Sequence, residues 1–315
     1  MDNFDFSTTL GPAWFPTPIF TASGCASSGK ELSQFFPLRE IGAVVTKSIM
    51  LKARLGRPTP RMAETPSGML NSIGLQGPGI DKFLANDIPW LLEHNSRVIV
   101  SIAGENVEEY AVLARRLRSV TGISAVEVNI SCPNVENRGL VFACDPHASR
   151  AVVDGVRRVL GGEIPIIVKL SPDVTDIVEI ARGVVDAGAD ALSLINTLLG
   201  MVINIDTMRP HLAGKTGGLS GPAIRPVAVR AIYQVHQAFP KIPILGMGGV
   251  RSGRDALEMV LAGASGVSVG TATFSNPKAV INVQNELREL LTSKGFKSLK
   301  EAVGFAHRDD ETGSI

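Results

Sequence analysis

The segment from Val128 to Val135 brings a thiol and two side-chain amides close together in the chain, from Cys132, Asn129 and Asn134. It begins inside a largely apolar run, Ala125 to Ile130, which is typical of a buried strand. A cysteine accepts a proton when its surroundings favour the thiolate, and an asparagine amide offers a donor and an acceptor to a planar, amide-bearing ligand. The segment therefore indicates proton abstraction from a heterocycle. The structural alternative is a cysteine packed as a small hydrophobe under a Pro-Asn turn.

Short apolar runs recur along the chain and alternate with amphipathic stretches, which predicts strands alternating with helices. Eight such runs predict an α/β protein with an all-parallel sheet, closed into a (β/α)8 TIM barrel, and a doubly wound open sheet is the alternative. The predicted strands are Ile19 to Ala22, Ala43 to Lys47, Val98 to Ile102, Ala125 to Ile130, Ile166 to Leu170, Ala191 to Ile195, Ile244 to Gly246 and Gly266 to Val269.

One helix and one insertion have clear signals within this alternation. Residues Asp173 to Ala187 show apolar side chains at helical spacing, with Ser171 as the predicted N-cap and Pro172 at the first helical position. The segment from about Ile49 to Pro89 is rich in proline and glycine and departs from the pattern. We expect it to be an insertion after the second strand that caps the C-terminal mouth of the barrel, with residues 1–315 forming a single domain.

Polar side chains follow five of the predicted strands, and in a barrel they would all point into one mouth. A single lysine at such a position is usually a solvated surface charge. Two lysines and two asparagines beside a cysteine instead predict an active site. The residues are Ser23, Lys47, Ser48, Asn129, Cys132, Lys169, Asn196 and Thr197.

Glycine-rich turns lie late in the chain, at Gly217 to Gly221, at Gly246 to Val250, and at Gly270-Thr271. Loops after the seventh and eighth strands of a barrel commonly bind phosphate, because bare backbone N–H groups can approach the anion. The turns therefore predict a phosphorylated ligand. The second turn is not a dinucleotide-binding fingerprint, since it lacks the third spaced glycine and the acidic residue.

Composition restricts the class of protein. The chain has 315 residues, of which 44% are hydrophobic, and a formal net charge of +1, so nothing favours nucleic acid or an anionic membrane as a partner. No apolar run is long enough for a membrane span, and the first residues do not resemble a secretory signal, so we expect a cytoplasmic enzyme. Three cysteines without a paired C-x-x-C spacing indicate neither a disulfide framework nor a metal or iron-sulfur site held by this chain alone.

Four segments resemble the class 1 dihydroorotate dehydrogenases: Asn129 to Asn134, Asn71 to Gln76, Ile195 to Gly200 and Lys215 to Pro222. The sequences of these segments are most similar to those of the class 1B catalytic subunit, and the similarity extends from about Pro18 to Gly304. The resemblance implies an FMN enzyme that oxidises (S)-dihydroorotate to orotate in de novo pyrimidine biosynthesis. It further implies a homodimer core within a heterotetramer, in which a separate subunit with FAD and a [2Fe-2S] cluster passes electrons to NAD.

The resemblance also implies roles for particular residues. Cys132 would remove the C5 proton while FMN accepts hydride from C6, and Lys169 would offset the negative charge that develops on the reduced flavin. The implied substrate-binding residues are Lys47, Asn71, Ser72, Ile73, Gly74, Leu75, Asn129, Asn134, Asn196 and Thr197. The implied cofactor-binding residues are Ser23, Lys47, Ser48, Ser101, Asn129, Lys169, Ile195, Gly221, Gly248, Gly249, Gly270 and Thr271.

Two residues depart from this pattern, and other functions remain open. Ser101 stands where an asparagine facing the flavin is expected, and Cys144 is a second candidate base, as in the similar dihydropyrimidine dehydrogenases, although Pro133-Asn134-Val135 favours Cys132. A class 1A-like enzyme that reduces fumarate is an alternative. A flavin-free lyase or isomerase using Lys169, and a barrel that only binds a phosphorylated ligand, are the alternatives from other classes.

Overall fold

A computed structural model describes residues 4–131 and 142–308 of the chain. All eight predicted runs form parallel strands, each within two residues of its expected bounds. We number these barrel strands in chain order: β1 (Ile19–Thr21), β2 (Val44–Val45), β3 (Val98–Ile102), β4 (Ile123–Asn129), β5 (Ile166–Leu170), β6 (Ala191–Leu194), β7 (Ile244–Met247) and β8 (Gly266–Val269).

The strand order identifies a barrel. The sheet runs β1-β8-β7-β6-β5-β4-β3-β2, so every strand pairs with its neighbours in the sequence, whereas a doubly wound sheet reverses its order part-way. A parallel bridge between Phe20 and Ala43 links the two end strands, and the Gly42 N–H donates to the Ile19 carbonyl at 2.7 Å. The prediction of a TIM barrel is confirmed.

Within residues 4–131 and 142–308, seven longer helices cover the outside of the sheet, one after each strand from β2 onward. They are α1 (Ile88–Glu93), α2 (Val107–Arg118), α3 (Pro146–Leu160), α4 (Ile177–Asp186), α5 (Arg225–Ala238), α6 (Gly253–Ala262) and α7 (Ala279–Ser293). Strand β1 is followed by 3-10 turns at Leu32–Gln34 and Leu38–Glu40, and α1 continues from the helical turns Ile80–Lys82 and Phe83–Asp87. Shorter helical pieces are Phe142–Cys144, Pro222–Ile224, Ala272–Ser275, Leu299–Ala302 and Phe305–His307. No helix in the described ranges is long and apolar enough to cross a bilayer.

The start of α4 corrects one prediction. Its N-cap is Asp176, whose Oδ1 accepts from the Val178 N–H at 2.8 Å, and not Ser171. The Ser171 hydroxyl oxygen instead accepts from the Asp173 N–H at 3.1 Å, within the loop after β5. A serine and an aspartate both suit the cap position, and the aspartate nearer to the amphipathic run occupies it.

The N-terminal end of the barrel is closed by apolar side chains. A hairpin of Thr8–Leu10 and Ala13–Phe15 lies against it, and both Leu10 and Phe15 are fully buried. The ring of Phe15 packs edge-on against that of Phe20, with centroids 4.9 Å apart. Burial of these rings closes this end, so the open mouth lies at the C-terminal ends of the strands.

A four-stranded antiparallel sheet lies over that mouth. The insertion after β2 contributes the hairpin Met62–Thr65 and Gly68–Asn71, and the segment after β6 contributes Thr216–Ser220 and Leu198–Met201. We call this the covering sheet. The insertion therefore supplies half of the cover and the chain after β6 supplies the rest, a division that spacing alone did not suggest. The single domain over 1–315 stays a prediction.

Candidate active site

Two adjoining clefts lie between the strand ends and the covering sheet. The larger, of about 690 Å³, is lined by strand-end residues and by Asn71 and residues 73–77 of the insertion. The smaller, of about 300 Å³, is lined by the glycine-rich turns after β7 and β8. Residues shared by both are Ser23, Cys25, Lys169, Asn196, Thr197, Ser220 and Thr271. These shared residues therefore form the boundary between two clefts, one lined by strand-end and insertion residues and the other by glycine-rich turns.

An amide cluster forms one wall of the larger cleft. The Ser131 hydroxyl donates to Asn129 Oδ1 at 2.8 Å, and Asn196 Nδ2 donates to Ser131 Oγ at 2.7 Å. The Tyr110 hydroxyl donates to the Asn129 carbonyl at 2.8 Å. The β4 strand end is thus held rigidly, directly before Cys132 in the chain.

Hydroxyl groups continue this cluster into the barrel. Asn129 Nδ2 donates to Ser48 Oγ at 2.9 Å, and Ser48 Oγ lies 2.9 Å from Ser101 Oγ. Ser101 donates to Glu127 Oε1 at 2.9 Å, and Ser193 donates to Glu127 Oε2 at 3.0 Å. A fully buried carboxylate therefore lies beneath the cleft.

Lys169 places a positive charge between the two clefts. It is 5% exposed, and its ammonium has no hydrogen-bond or ion-pair partner in residues 4–131 and 142–308. Burial raises the pKa of the neighbouring Cys25 thiol, and the charges of Lys169 and Lys47 partly oppose that rise. A buried cation without a counter-charge is an unfavourable arrangement unless a ligand completes it, so Lys169 indicates an anionic or electron-rich ligand.

The smaller cleft has a backbone-lined wall. Gly248 and Gly249 have φ angles of 127° and 80°, in the region that L side chains rarely adopt, and a Cβ on Gly249 would lie 2.8 Å from the Gly221 carbonyl oxygen. Ser268 faces the same cleft, and its buried hydroxyl has no partner in the described part of the chain. Exposed peptide groups and an unsatisfied hydroxyl together suit a polar, phosphorylated ligand.

Comparison with known proteins decides the family. The family model described as Dihydroorotate dehydrogenase matches residues 6–291. The chain belongs to the dihydroorotate dehydrogenase family. It is 51% identical over 291 residues to the "Dihydroorotate dehydrogenase B (NAD(+)), catalytic subunit" of Desulforudis audaxviator, covering 92% of this chain and 94% of that protein. The protein of the same name from Geobacter sulfurreducens is 49% identical over 304 residues, covering 96% and 99%. The class 1B resemblance is confirmed.

Membership of the dihydroorotate dehydrogenase family carries FMN as cofactor, and the residues of the smaller cleft fit it. Gly221, Gly248, Gly249 and Gly270 line this cleft with backbone that can approach a phosphate and ribityl chain, and an added Cβ on any of them would lie 3.1 Å or less from another protein atom. Ser268 supplies a buried hydroxyl and Lys169 a buried cation, both without partners among the described residues. Ile195 offers apolar surface to a ring system in the same cleft.

Most of the predicted site residues line the two clefts of this dehydrogenase fold. Ser72 and Ser101 do not: Ser72 is buried and accepts from Arg57 Nη1 at 3.1 Å, and Ser101 lies beneath Ser48. Cys132 and Asn134 lie outside the described residues. The predicted residues that line a cleft are Ser23, Lys47, Ser48, Asn71, Ile73, Gly74, Leu75, Asn129, Lys169, Ile195, Asn196, Thr197, Gly221, Gly248, Gly249, Gly270 and Thr271.

Sequence reasoning missed Glu127, Ser193, Ser268 and Cys25. Glu127 had a signal: it is a charged residue in an otherwise apolar run, two positions before Asn129 and therefore on the same face of the strand. The serines had none, since serine within an apolar strand is unremarkable.

Cys144 lies apart from both clefts. It is exposed in the turn Phe142–Cys144, and its thiol donates to the Asp173 carbonyl at 3.6 Å. Burial raises the pKa of this thiol and the charge of Asp173 raises it further, so both effects disfavour the thiolate.

Proposed function

We propose that this chain oxidises (S)-dihydroorotate to orotate in the pair of clefts at the barrel mouth, with Cys132 as the base. The observation that carries the proposal is the amide cluster of Asn129 and Asn196 beside the glycine-lined cleft. These amides offer donors and acceptors to the imide edge of a pyrimidine, and Asn71 offers another from the covering sheet. FMN, when bound in the smaller cleft, supplies the acceptor for the hydride equivalent from C6.

Proton removal at C5 needs a base on the side of the ring away from the acceptor. Cys132 follows Ser131 directly, and Ser131 is hydrogen-bonded to both Asn129 and Asn196 in the wall of the larger cleft. This position supports Cys132. The exposure of Cys144 and its thiol-favouring surroundings count against the dihydropyrimidine dehydrogenase alternative.

Lys47 and Lys169 both bring positive charge to the site. Both line the larger cleft, and Lys169 also lines the smaller one. Lys47 is proposed to bind the substrate. Lys169 is proposed to stabilise the negative charge that develops on the reduced flavin, because fixed charges act more strongly in a cleft that excludes water than in solvent.

Electrons are proposed to leave through a separate subunit with FAD and a [2Fe-2S] cluster, with NAD as the final acceptor. The names of the relatives, which specify a catalytic subunit and NAD(+), support this assembly. We propose that two copies of this chain form its core. Exposed apolar side chains after β6 support such an interface, since Ile205 is 85% and Met208 is 81% exposed.

An anaerobic mixing experiment tests the activity. The purified protein, reconstituted with FMN, is mixed with dihydroorotate while the flavin absorbance is followed. Rapid bleaching, followed by recovery of the colour on addition of an electron acceptor, is the expected result. An FMN-loaded protein that dihydroorotate does not bleach would overturn the proposal, and comparison of fumarate with the NAD-linked partner subunit separates the class 1A alternative.

A further inference from the structure

Glu127 is a carboxylic acid inside the barrel that the proposed chemistry does not use. It lies on β4, pairs in register with Ser101 on β3 and Ile167 on β5, and has no exposed surface. Ile167 lies in the same apolar cluster as Phe15 and Phe20, which close the N-terminal end of the barrel. Glu127 is two residues before Asn129, which puts it roughly 6–7 Å below the cleft wall. Burying a carboxylate there is unfavourable unless it is hydrogen-bonded.

The carboxylate sets the direction of a chain of hydrogen bonds. An ionised carboxylate only accepts, so Ser101 uses its one proton on Glu127. In the contact of Ser48 with Ser101, Ser48 must then be the donor. Having used its proton, Ser48 can only accept from Asn129 Nδ2, which is the observed arrangement. The chain therefore runs one way, from Asn129 through Ser48 and Ser101 to Glu127.

This direction determines what Asn129 presents to the cleft. Its Oδ1 accepts from the Ser131 N–H at 3.2 Å and from the Ser131 hydroxyl at 2.8 Å, so the oxygen is engaged. Its Nδ2 donates one hydrogen to Ser48, and no described residue accepts the other. Because Asn129 lines the larger cleft, that second N–H is left for a ligand.

Glu127 also adds a negative charge below Lys169. Ser193, the second donor to Glu127, pairs in register with Lys169 on the neighbouring strand. Lys169 has no ion-pair partner among the described residues, and Glu127 provides a buried anion two strand positions deeper in the same barrel. A fixed negative charge near a flavin opposes its reduction, because reduction adds negative charge to the cofactor.

We propose that Glu127 is a positioning residue for the flavin site: it orients the Ser101–Ser48–Asn129 chain so that Asn129 donates into the cleft, and its charge lowers the reduction potential of the bound FMN. The inference rests on the proposed function, because it requires FMN in the neighbouring cleft. Glu127 touches neither cleft and acts through the residues above it.

The test is the two-electron midpoint potential of FMN bound to the full-length protein, measured for wild type, Glu127→Gln and Ser193→Ala. Glu127→Gln keeps the shape and removes the charge. We expect this variant to bind reduced FMN, relative to oxidised FMN, at least tenfold more tightly than wild type does. That change corresponds to a midpoint potential about 30 mV more positive. Ser193→Ala removes a hydroxyl that donates to Glu127 but is not part of the Ser101–Ser48–Asn129 hydrogen-bond chain, and it keeps the charge. We therefore expect the same ratio of FMN affinities to change by less than threefold.

The outcomes separate the possibilities. An unshifted potential in Glu127→Gln overturns the inference, as does an equal shift in Ser193→Ala, which would indicate disturbed packing. If Glu127→Gln does not fold, Ser101→Ala decides, because it breaks the hydrogen-bond chain to Asn129 and keeps the carboxylate. A tenfold weaker affinity of the FMN-loaded variant for orotate supports the inference, and an unchanged affinity overturns it. A wild-type protein that does not bind FMN contradicts the proposed function itself, before any variant is compared.

Discussion

Thr271 and Ser220 join the barrel to its cover: the Thr271 hydroxyl donates to Ser220 Oγ at 2.8 Å. Thr271 follows β8, at the end of the barrel, and Ser220 ends a strand of the covering sheet. Both residues line both clefts. This hydrogen bond therefore connects the turn after β8, which we propose binds phosphate, to the covering sheet.

Thr271→Val is expected to weaken FMN binding. The change keeps the shape and removes the hydroxyl, which leaves Ser220 without its donor and costs about 1 kcal/mol, or roughly fivefold in the dissociation constant. Titration of the apoprotein with FMN, followed by fluorescence quenching, measures the effect. Thr271→Ser retains the hydroxyl and is the control, with near-normal affinity. Equal weakening in both variants would mean that the methyl contact matters and the hydrogen bond does not.

Gly249→Ala is expected to abolish tight FMN binding. The residue has a φ of 80°, and its new Cβ would lie 2.8 Å from the Gly221 carbonyl oxygen, so the turn must shift. Such strain is on the order of 1–3 kcal/mol. Gly162→Ala is the matched control, because nothing lies within 4 Å of its added Cβ. FMN retained at wild-type affinity by Gly249→Ala would remove this turn from the cofactor site.

Cys132→Ala is expected to bind FMN normally but to lose turnover by about 10²–10⁴-fold, the usual contribution of a positioned base. Cys144→Ala is its natural comparison, since Cys144 is exposed and outside both clefts. Steady-state rates with dihydroorotate and the flavin content of each variant are the measurements. Full activity in Cys132→Ala with lost activity in Cys144→Ala would reverse the assignment of the base.

The stability of the fold is expected to fall in mild acid, partly because of His236. Burial lowers the pKa of this imidazole below 6.5, and the charge of His307 lowers it further. The unfolded chain therefore binds a proton more readily than the folded one, so stability decreases as the pH falls from about 6.5 toward the folded-state pKa.

Melting temperatures at about pH 7.5 and pH 5.5 test this effect. In His236→Phe the drop on acidification is expected to be smaller, because the group that resists protonation in the fold has been removed. His94 is exposed, so His94→Phe is expected to leave the drop unchanged. An unaltered drop in His236→Phe would assign the acid sensitivity to other groups.

A double variant, Ile205→Asp with Met208→Asp, is expected to favour the monomer. Both side chains are more than four-fifths exposed, and a dimer interface that buries them would have to desolvate two carboxylates in the variant. Light scattering after size-exclusion chromatography gives the mass of the assembly. Leu55→Asp, at the similarly exposed Leu55, is the comparison. A double variant that remains dimeric would place the interface elsewhere.

The sequence by itself determined the barrel and much of the site. Runs such as Ile166–Leu170 are short and largely apolar because both faces of a parallel strand are covered. Such strands can therefore be recognised from the sequence alone. Lys169 and Asn129 were recognisable because a polar residue at the end of such a run is unusual. The motifs around Cys132 then indicated the family, since particular residues in a particular order carry more information than composition does.

Tertiary structure alone decided which residues meet. The pairing of Gly68–Asn71 with Thr216–Ser220 joins segments about 150 residues apart, and no local propensity encodes such a contact. The N-cap of α4 was settled by which of two suitable residues best satisfied the free N–H groups of the first turn. Glu127 gained its two hydroxyl donors only when closure of the barrel brought β3 and β6 around β4, because hydrogen bonds depend on distances in space that spacing along the chain does not specify.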